Sequence, residues 1–163
     1  MKKALLALAI AAASCGGSGG IGAMSCSLGS SATSAPQAGS PMPAAIVEPY
    51  LKIHDGLADD SIDNLRQNAG EIATAASALG APAMKIDTAA LQLAAAADLA
   101  QARDRFGALS DAIVTYMKGL KLAAPEGVRT AYCPMAQRPW LQKGDALANP
   151  YYGKEMPTCG EFR

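Results

Sequence analysis

Apolar residues recur every three or four positions in four stretches between residues 44 and 122, a spacing that places them on one face of a helix. The most regular stretch runs over residues 99–120. Before it, Asp98 and Gln101 have the spacing of a capping box, which marks a helix start. Short connections between the stretches predict a small antiparallel bundle of about four helices. Whether the third and fourth stretches form one continuous helix stays open.

The pattern changes after residue 122. Residues 123–163 have no helical period, and they hold the only tryptophan, Trp140, and two of the four cysteines. We therefore expect an all-α fold in which an irregular C-terminal segment, 123–163, forms one domain with the bundle of 44–122. Such a segment needs a metal, a disulfide or packing on the bundle to hold it.

The first 15 residues have the pattern of a secretory signal peptide. Two lysines precede the apolar residues 4–13, a run only about half as long as a membrane-spanning helix requires. The small residues before Cys15 resemble the lipobox of bacterial lipoproteins, in which the cysteine is lipidated. Ordinary cleavage after a small residue is the alternative. The sequence thus predicts export to the periplasm, with membrane attachment only through a lipid on Cys15.

Residues 16–43 are uncharged and rich in Gly, Ser, Ala and Pro, and they predict a disordered linker. The whole chain has 14 basic and 14 acidic residues, and no basic cluster, which argues against a nucleic-acid partner. It contains one histidine and neither a recognisable nucleophile–base arrangement nor a phosphate-binding loop. We therefore expect that the protein is not an enzyme.

The C-terminal segment contains two short clusters of sulfur ligands, Cys133-Pro134-Met135 and Met156-Pro157-Thr158-Cys159. Thiolate and thioether sulfurs favour Cu(I) and Ag(I) over harder cations. Zinc usually takes four Cys or His ligands, and with His54 on the first helix this chain would offer only three. We predict a copper site formed by Cys133, Met135, Met156 and Cys159, which His54 completes if the segment folds back over that helix. Zinc is the weaker candidate.

The two cysteines have a second interpretation. A structural disulfide between Cys133 and Cys159 is natural in an oxidising periplasm, and it would hold the segment without any metal. In that case the protein is a structural or interaction lipoprotein.

The segment also resembles a known family. The resemblance extends over nearly all of residues 46–162, including Tyr50-Leu51-Lys52 and residues 103–110 (RDRFGALS) in the helical part. In the C-terminal part it is carried by Tyr132-Cys133-Pro134-Met135, Trp140-Leu141, Asn149-Pro150-Tyr151-Tyr152-Gly153, Met156 and Cys159-Gly160. These residues are similar to a bacterial family of exported domains of formally unknown function. Its members occur alone or fused to periplasmic adaptor subunits of copper/silver efflux pumps of the resistance-nodulation-division type. The resemblance implies a copper-binding role in heavy-metal handling, with an efflux system as partner.

Overall fold

The structure is a computed structural model that describes residues 36–163. The predicted signal peptide, the predicted lipidation of Cys15 and the predicted linker up to residue 35 lie outside these residues. Of the helices that the structure describes, none combines the length and the apolar character needed to cross a bilayer.

Four α-helices form in the region of the predicted bundle. They are α1 (Ala44–Ala58), α2 (Leu65–Ala78), α3 (Met84–Ala94) and α4 (Leu99–Leu120), and each of them packs on the next along the chain. The third and fourth stretches are therefore separate helices. The predicted helix start at Asp98 is confirmed, because Asp98 Oδ1 caps α4 by accepting from the Gln101 backbone N–H at 2.8 Å, and the Gln101 side chain donates to Asp98 Oδ2 at 3.0 Å.

The predicted all-α fold is wrong, because the C-terminal segment contains a three-stranded antiparallel sheet. Its strands are β1 (Val128–Cys133), β2 (Arg138–Lys143) and β3 (Glu161–Phe162), in the order β2-β1-β3. The domain is therefore a mixed α/β structure.

The residue types of the segment explain why it forms a sheet. Val128, Thr130 and Tyr132 belong to residue types that favour extended backbone, and a four-residue turn, 134–137, reverses the chain so that β2 pairs with β1. The lack of a helical period does not by itself indicate irregular structure, because a strand has a period of two.

Tyr50 joins the helices to the sheet. Its hydroxyl lies 2.7 Å from Ser110 Oγ of α4 and accepts from the Leu141 N–H of β2 at 3.1 Å. Its ring stacks on Phe106, with 4.9 Å between the ring centroids. Burial raises the pKa of Tyr50 far above its ordinary value, and the hydrogen bonds to Ser110 and Leu141 only partly offset this. The hydroxyl therefore stays neutral, and helices and sheet share one core.

Residues 36–43 differ from the predicted disordered linker. Met42 is only 1% exposed and packs in the core. Its N–H donates to the Ala123 carbonyl at 3.0 Å, and the Ala123 N–H donates to the Ser40 carbonyl at 3.0 Å. The folded domain therefore includes residues before 44, because the end of α4 offers them both backbone partners and an apolar site.

Candidate functional site

The structure brings together the two cysteines of the predicted copper site. Cys133 ends β1, and Cys159 lies two residues before β3, which pairs with β1. The two Sγ atoms are 3.7 Å apart and both thiols are free. A disulfide would require about 2.05 Å between them. The arrangement is a dithiol in contact.

Cys133 is buried, yet its surroundings favour the thiolate. Burial by itself opposes ionisation of the thiol. It is outweighed by hydrogen bonds to the sulfur from the Ala136 N–H at 3.3 Å, the Asn149 side chain, the Cys159 thiol and the Met135 N–H. The pKa of Cys133 therefore lies below its usual value. The thiolate is the form of cysteine that can bind a metal, and the lowered pKa favours this form at Cys133.

The surroundings of Cys159 instead favour the neutral thiol. Burial raises the pKa of its thiol, as do its hydrogen bond to Cys133 and the charge of the Cys133 thiolate, while the Met135 N–H acts in the other direction. The pair therefore loses its first proton readily and its second reluctantly. A cation between the sulfurs would offset the repulsion that retains the second proton.

Asn149 organises the loop that carries Cys159, a role that no local sequence pattern indicated. Its side chain is fully buried, and Nδ2 donates to the Cys159 carbonyl at 2.5 Å. Its Oδ1 accepts from the backbone N–H groups of Tyr151 and Tyr152 at 2.8 and 3.3 Å. These two contacts form an Asx turn. Gly153, four residues later, adopts the left-handed conformation, with φ of +52°.

The two methionines lie on the turns next to the cysteines. Met135 is 61% exposed, and its N–H contributes to the environment of both sulfurs. Met156 is half-buried, and its carbonyl accepts from the Cys159 N–H at 3.3 Å. Both methionine side chains are flexible, with three rotatable bonds each, and each lies within three residues of one cysteine in sequence.

His54 is not brought to the cysteine pair. It is 2% exposed, its Nδ1 lies 2.9 Å from Asp55 Oδ1, and its Nε2 lies 2.9 Å from the Ala148 carbonyl. Both ring nitrogens are thus in contact with hydrogen-bond acceptors, and neither points to the cysteines. Within residues 36–163, no group of three or more His, Cys, Asp or Glu side chains could hold an ion. His54 instead fixes the loop before Asn149.

Trp140 and Gly160 pack against each other next to Cys159. Trp140 is fully buried, its ring meets Tyr151 edge-on at 6.0 Å, and its Nε1–H donates to Gln142 at 2.9 Å. A Cβ atom on Gly160 would lie 2.5 Å from Trp140 Cη2. The close approach of Gly160 therefore fixes the position of Cys159 against the indole.

Arg103 on α4 fastens the same loop to the helices. It donates to the Pro150 carbonyl at 3.2 Å and to the Leu57 carbonyl at 3.3 Å, and it pairs with Asp60. No sequence signal indicates this role, because a charged residue on a helix usually faces solvent.

The roles of Asn149 can be separated by an isosteric change. Asn149→Asp keeps an oxygen for the Asx turn, but it removes the Nδ2 donor and adds a negative charge beside the thiols. We expect the pKa of Cys133 to rise, so that its thiolate absorbance appears at higher pH in an ultraviolet pH titration. In the parent, ionisation of Cys133 stabilises the fold at high pH, and this contribution is lost as pH falls through the folded-state pKa.

Gln142→Glu is the matched control for that titration. It makes the same chemical change at another buried amide, whose Nε2 donates to the Ala146 carbonyl rather than to either cysteine. Equal titration curves for Asn149→Asp and the parent, with circular dichroism showing both folded, would contradict the role of Asn149.

Comparison with known proteins identifies no relative. No family model, no curated protein and no solved structure matches the chain. The family resemblance carried by the Cys, Met and Tyr motifs stays a prediction, and the function is proposed from the residues and their geometry.

Proposed function

We propose that this protein is a periplasmic, lipid-anchored protein that binds Cu(I) or Ag(I) through Cys133 and Cys159 in heavy-metal handling or efflux. The observation that carries the proposal is the contact of two free thiols at 3.7 Å, one of which is favoured as a thiolate. This separation is less than twice a typical metal–thiolate distance of about 2.3 Å. One ion can therefore contact both sulfurs without a backbone movement.

The donor set favours a soft monovalent ion over zinc. His54 is engaged elsewhere, so zinc would find only two of its usual four protein ligands here. Cu(I) instead accepts thioether sulfur, which Met135 and Met156 offer from the adjoining turns. We expect the two thiolates to supply most of the affinity and the methionines a smaller part.

The cellular setting rests on sequence patterns alone. The signal peptide and Cys15 support export and lipid anchoring, and the family resemblance supports an efflux system as partner. A protein held at the periplasmic face of a membrane by a lipid would be well placed to pass an ion to a membrane pump.

A disulfide between Cys133 and Cys159 is the second candidate, and the same distance favours it. A thiolate next to a thiol is the arrangement from which an external disulfide oxidant forms a new S–S bond, taking two electrons and the one remaining thiol proton from the pair. The protein would then be a structural or interaction lipoprotein without metal.

Titration of the reduced protein with Cu(I), in competition with a chromogenic Cu(I) chelator, tests the proposal. We expect one tightly bound Cu(I) per chain and weak binding of Zn(II). Alkylation and peptide mass spectrometry on protein isolated from the periplasm should find Cys133 and Cys159 as thiols that Cu(I) protects. Cysteines that react only after reduction would favour the disulfide, and absence of tight Cu(I) binding by the reduced protein would overturn the metal function.

A further inference from the structure

A groove of about 640 Å³ lies between the C-terminal half of α4 and the sheet. Its volume is in the range of small-molecule sites. Thr130 and Tyr132 of β1 line it, whereas Cys133 belongs to the alternate set of side chains on this strand. The groove is thus a separate site from the cysteine pair, and a ligand can occupy it whether or not the cysteines bind a metal.

Part of the groove wall is apolar. Val114 and Met117 of α4, Leu122 after the helix, and Pro139 of β2 line it together. The first three belong to the hydrophobic core but keep 8 or 9% of their surface accessible. The groove therefore gives a ligand access to apolar surface that is continuous with the core.

The rim of the groove is basic. Lys118, Lys121 and Arg163 line it, and the carboxylate side chain of Asp111, which also lines it, is paired with Arg138 at 3.2 Å. Arg163 lies over the Tyr132 ring at 3.7 Å and pairs with Glu161 at 3.1 Å. Among residues 36–163, no carboxylate is within ion-pair distance of Lys118 or Lys121.

We propose that this groove binds a single-tailed anionic amphiphile of the fatty-acid class. The alkyl tail would lie on Val114, Met117 and Leu122, and the carboxylate would meet the ammonium groups of Lys118 and Lys121. The helix dipole alone favours lysines at the end of α4, but it does not account for an apolar groove directly beside them. The combination of apolar wall and cationic rim matches the two parts of such a ligand.

Calorimetric titration of the purified protein with dodecanoate, below its micelle concentration, tests this proposal. We expect saturable 1:1 binding that dodecanol reproduces at least about tenfold more weakly, because dodecanol cannot make the charge-assisted hydrogen bonds of the carboxylate. The double variant Lys118→Ala/Lys121→Ala should lose at least about tenfold in affinity for dodecanoate and little for dodecanol. Lys52→Ala/Lys85→Ala, which changes two exposed lysines on α1 and α3, is the matched control and should bind like the parent.

A second variant tests the apolar part of the site. Ala124→Trp changes an exposed lining residue after α4, so it should fill the groove while the fold is kept. We expect it to lose binding of both ligands. Equal binding of dodecanol and dodecanoate would overturn the proposal. Undiminished dodecanoate binding in either groove variant would overturn it as well.

Discussion

Replacing Cys133 and Cys159 together with serine is expected to lower the affinity for Cu(I) by on the order of 10³-fold or more, a loss of about 4 kcal/mol. A serine hydroxyl is a hard, neutral donor, so the variant retains only thioethers in this region. The fold should survive, because serine is close to cysteine in size and the Ala136 N–H at 3.3 Å would still have an acceptor at position 133. The measurement is competition with a chromogenic Cu(I) chelator.

The methionines provide a graded comparison in the same assay. The double variant Met135→Leu/Met156→Leu should weaken Cu(I) binding less than the double serine variant does, and it should leave the fold intact. Met84→Leu, at an exposed methionine on α3, is the matched control and should change nothing. Undiminished affinity in the double serine variant would reject the site, whichever result the methionines give.

Replacing Trp140 with alanine is expected to lower the free energy of unfolding by about 3–5 kcal/mol, the usual cost of removing a large buried aromatic side chain. Trp140 is fully buried between the sheet and the loop, where it contacts Tyr151 and Gly160, and its loss also leaves Gln142 Oε1 without the indole donor. Because Gly160 adjoins Cys159, alkylation of Cys159 should also become faster. Trp140 is the only tryptophan, so circular dichroism during urea unfolding is the suitable measurement.

Phe162→Ala is the control for that experiment. Phe162 is only partly buried and lies under the Arg129 guanidinium at 3.7 Å. We expect a loss of about 1 kcal/mol, as for a partly exposed cation–π contact. A cost below about 1 kcal/mol for Trp140→Ala would show that the indole does not hold the loop on the sheet.

The helices were predictable because their signals are local. A 3.6-residue period and the Asp98 cap each depend on residues that are close together in the sequence, and both are found in the structure. Even so, Ile62 continues the apolar spacing of α2 in the sequence, whereas the helix begins at Leu65 and Ile62 is 39% exposed. Local periodicity therefore predicts the helices more reliably than their ends.

The sheet was missed because its signals are distant in sequence. β3 has only two residues, and its pairing with Ala131 and Tyr132 depends on where the loop after β2 returns. Buried hydrogen bonds of Asn149, His54 and Arg103 set that return, and none of them has a local pattern. The contact between Cys133 and Cys159 was predictable from sulfur chemistry. The hydrogen-bond contact of His54 with the Ala148 carbonyl could not be predicted without the fold.

The unequal lengths of β1 and β3 give the two halves of the dithiol different local stabilities. Cys133 ends a six-residue strand paired on both sides, whereas Cys159 precedes a strand of only two residues. Short strands with few backbone hydrogen bonds open at a lower free energy than a longer core strand does. In the proposed copper site we therefore expect Cys159 to detach first, while Cys133 still holds the ion. Such stepwise release would let an acceptor protein take over the coordination one sulfur at a time, with the rest of the domain still folded.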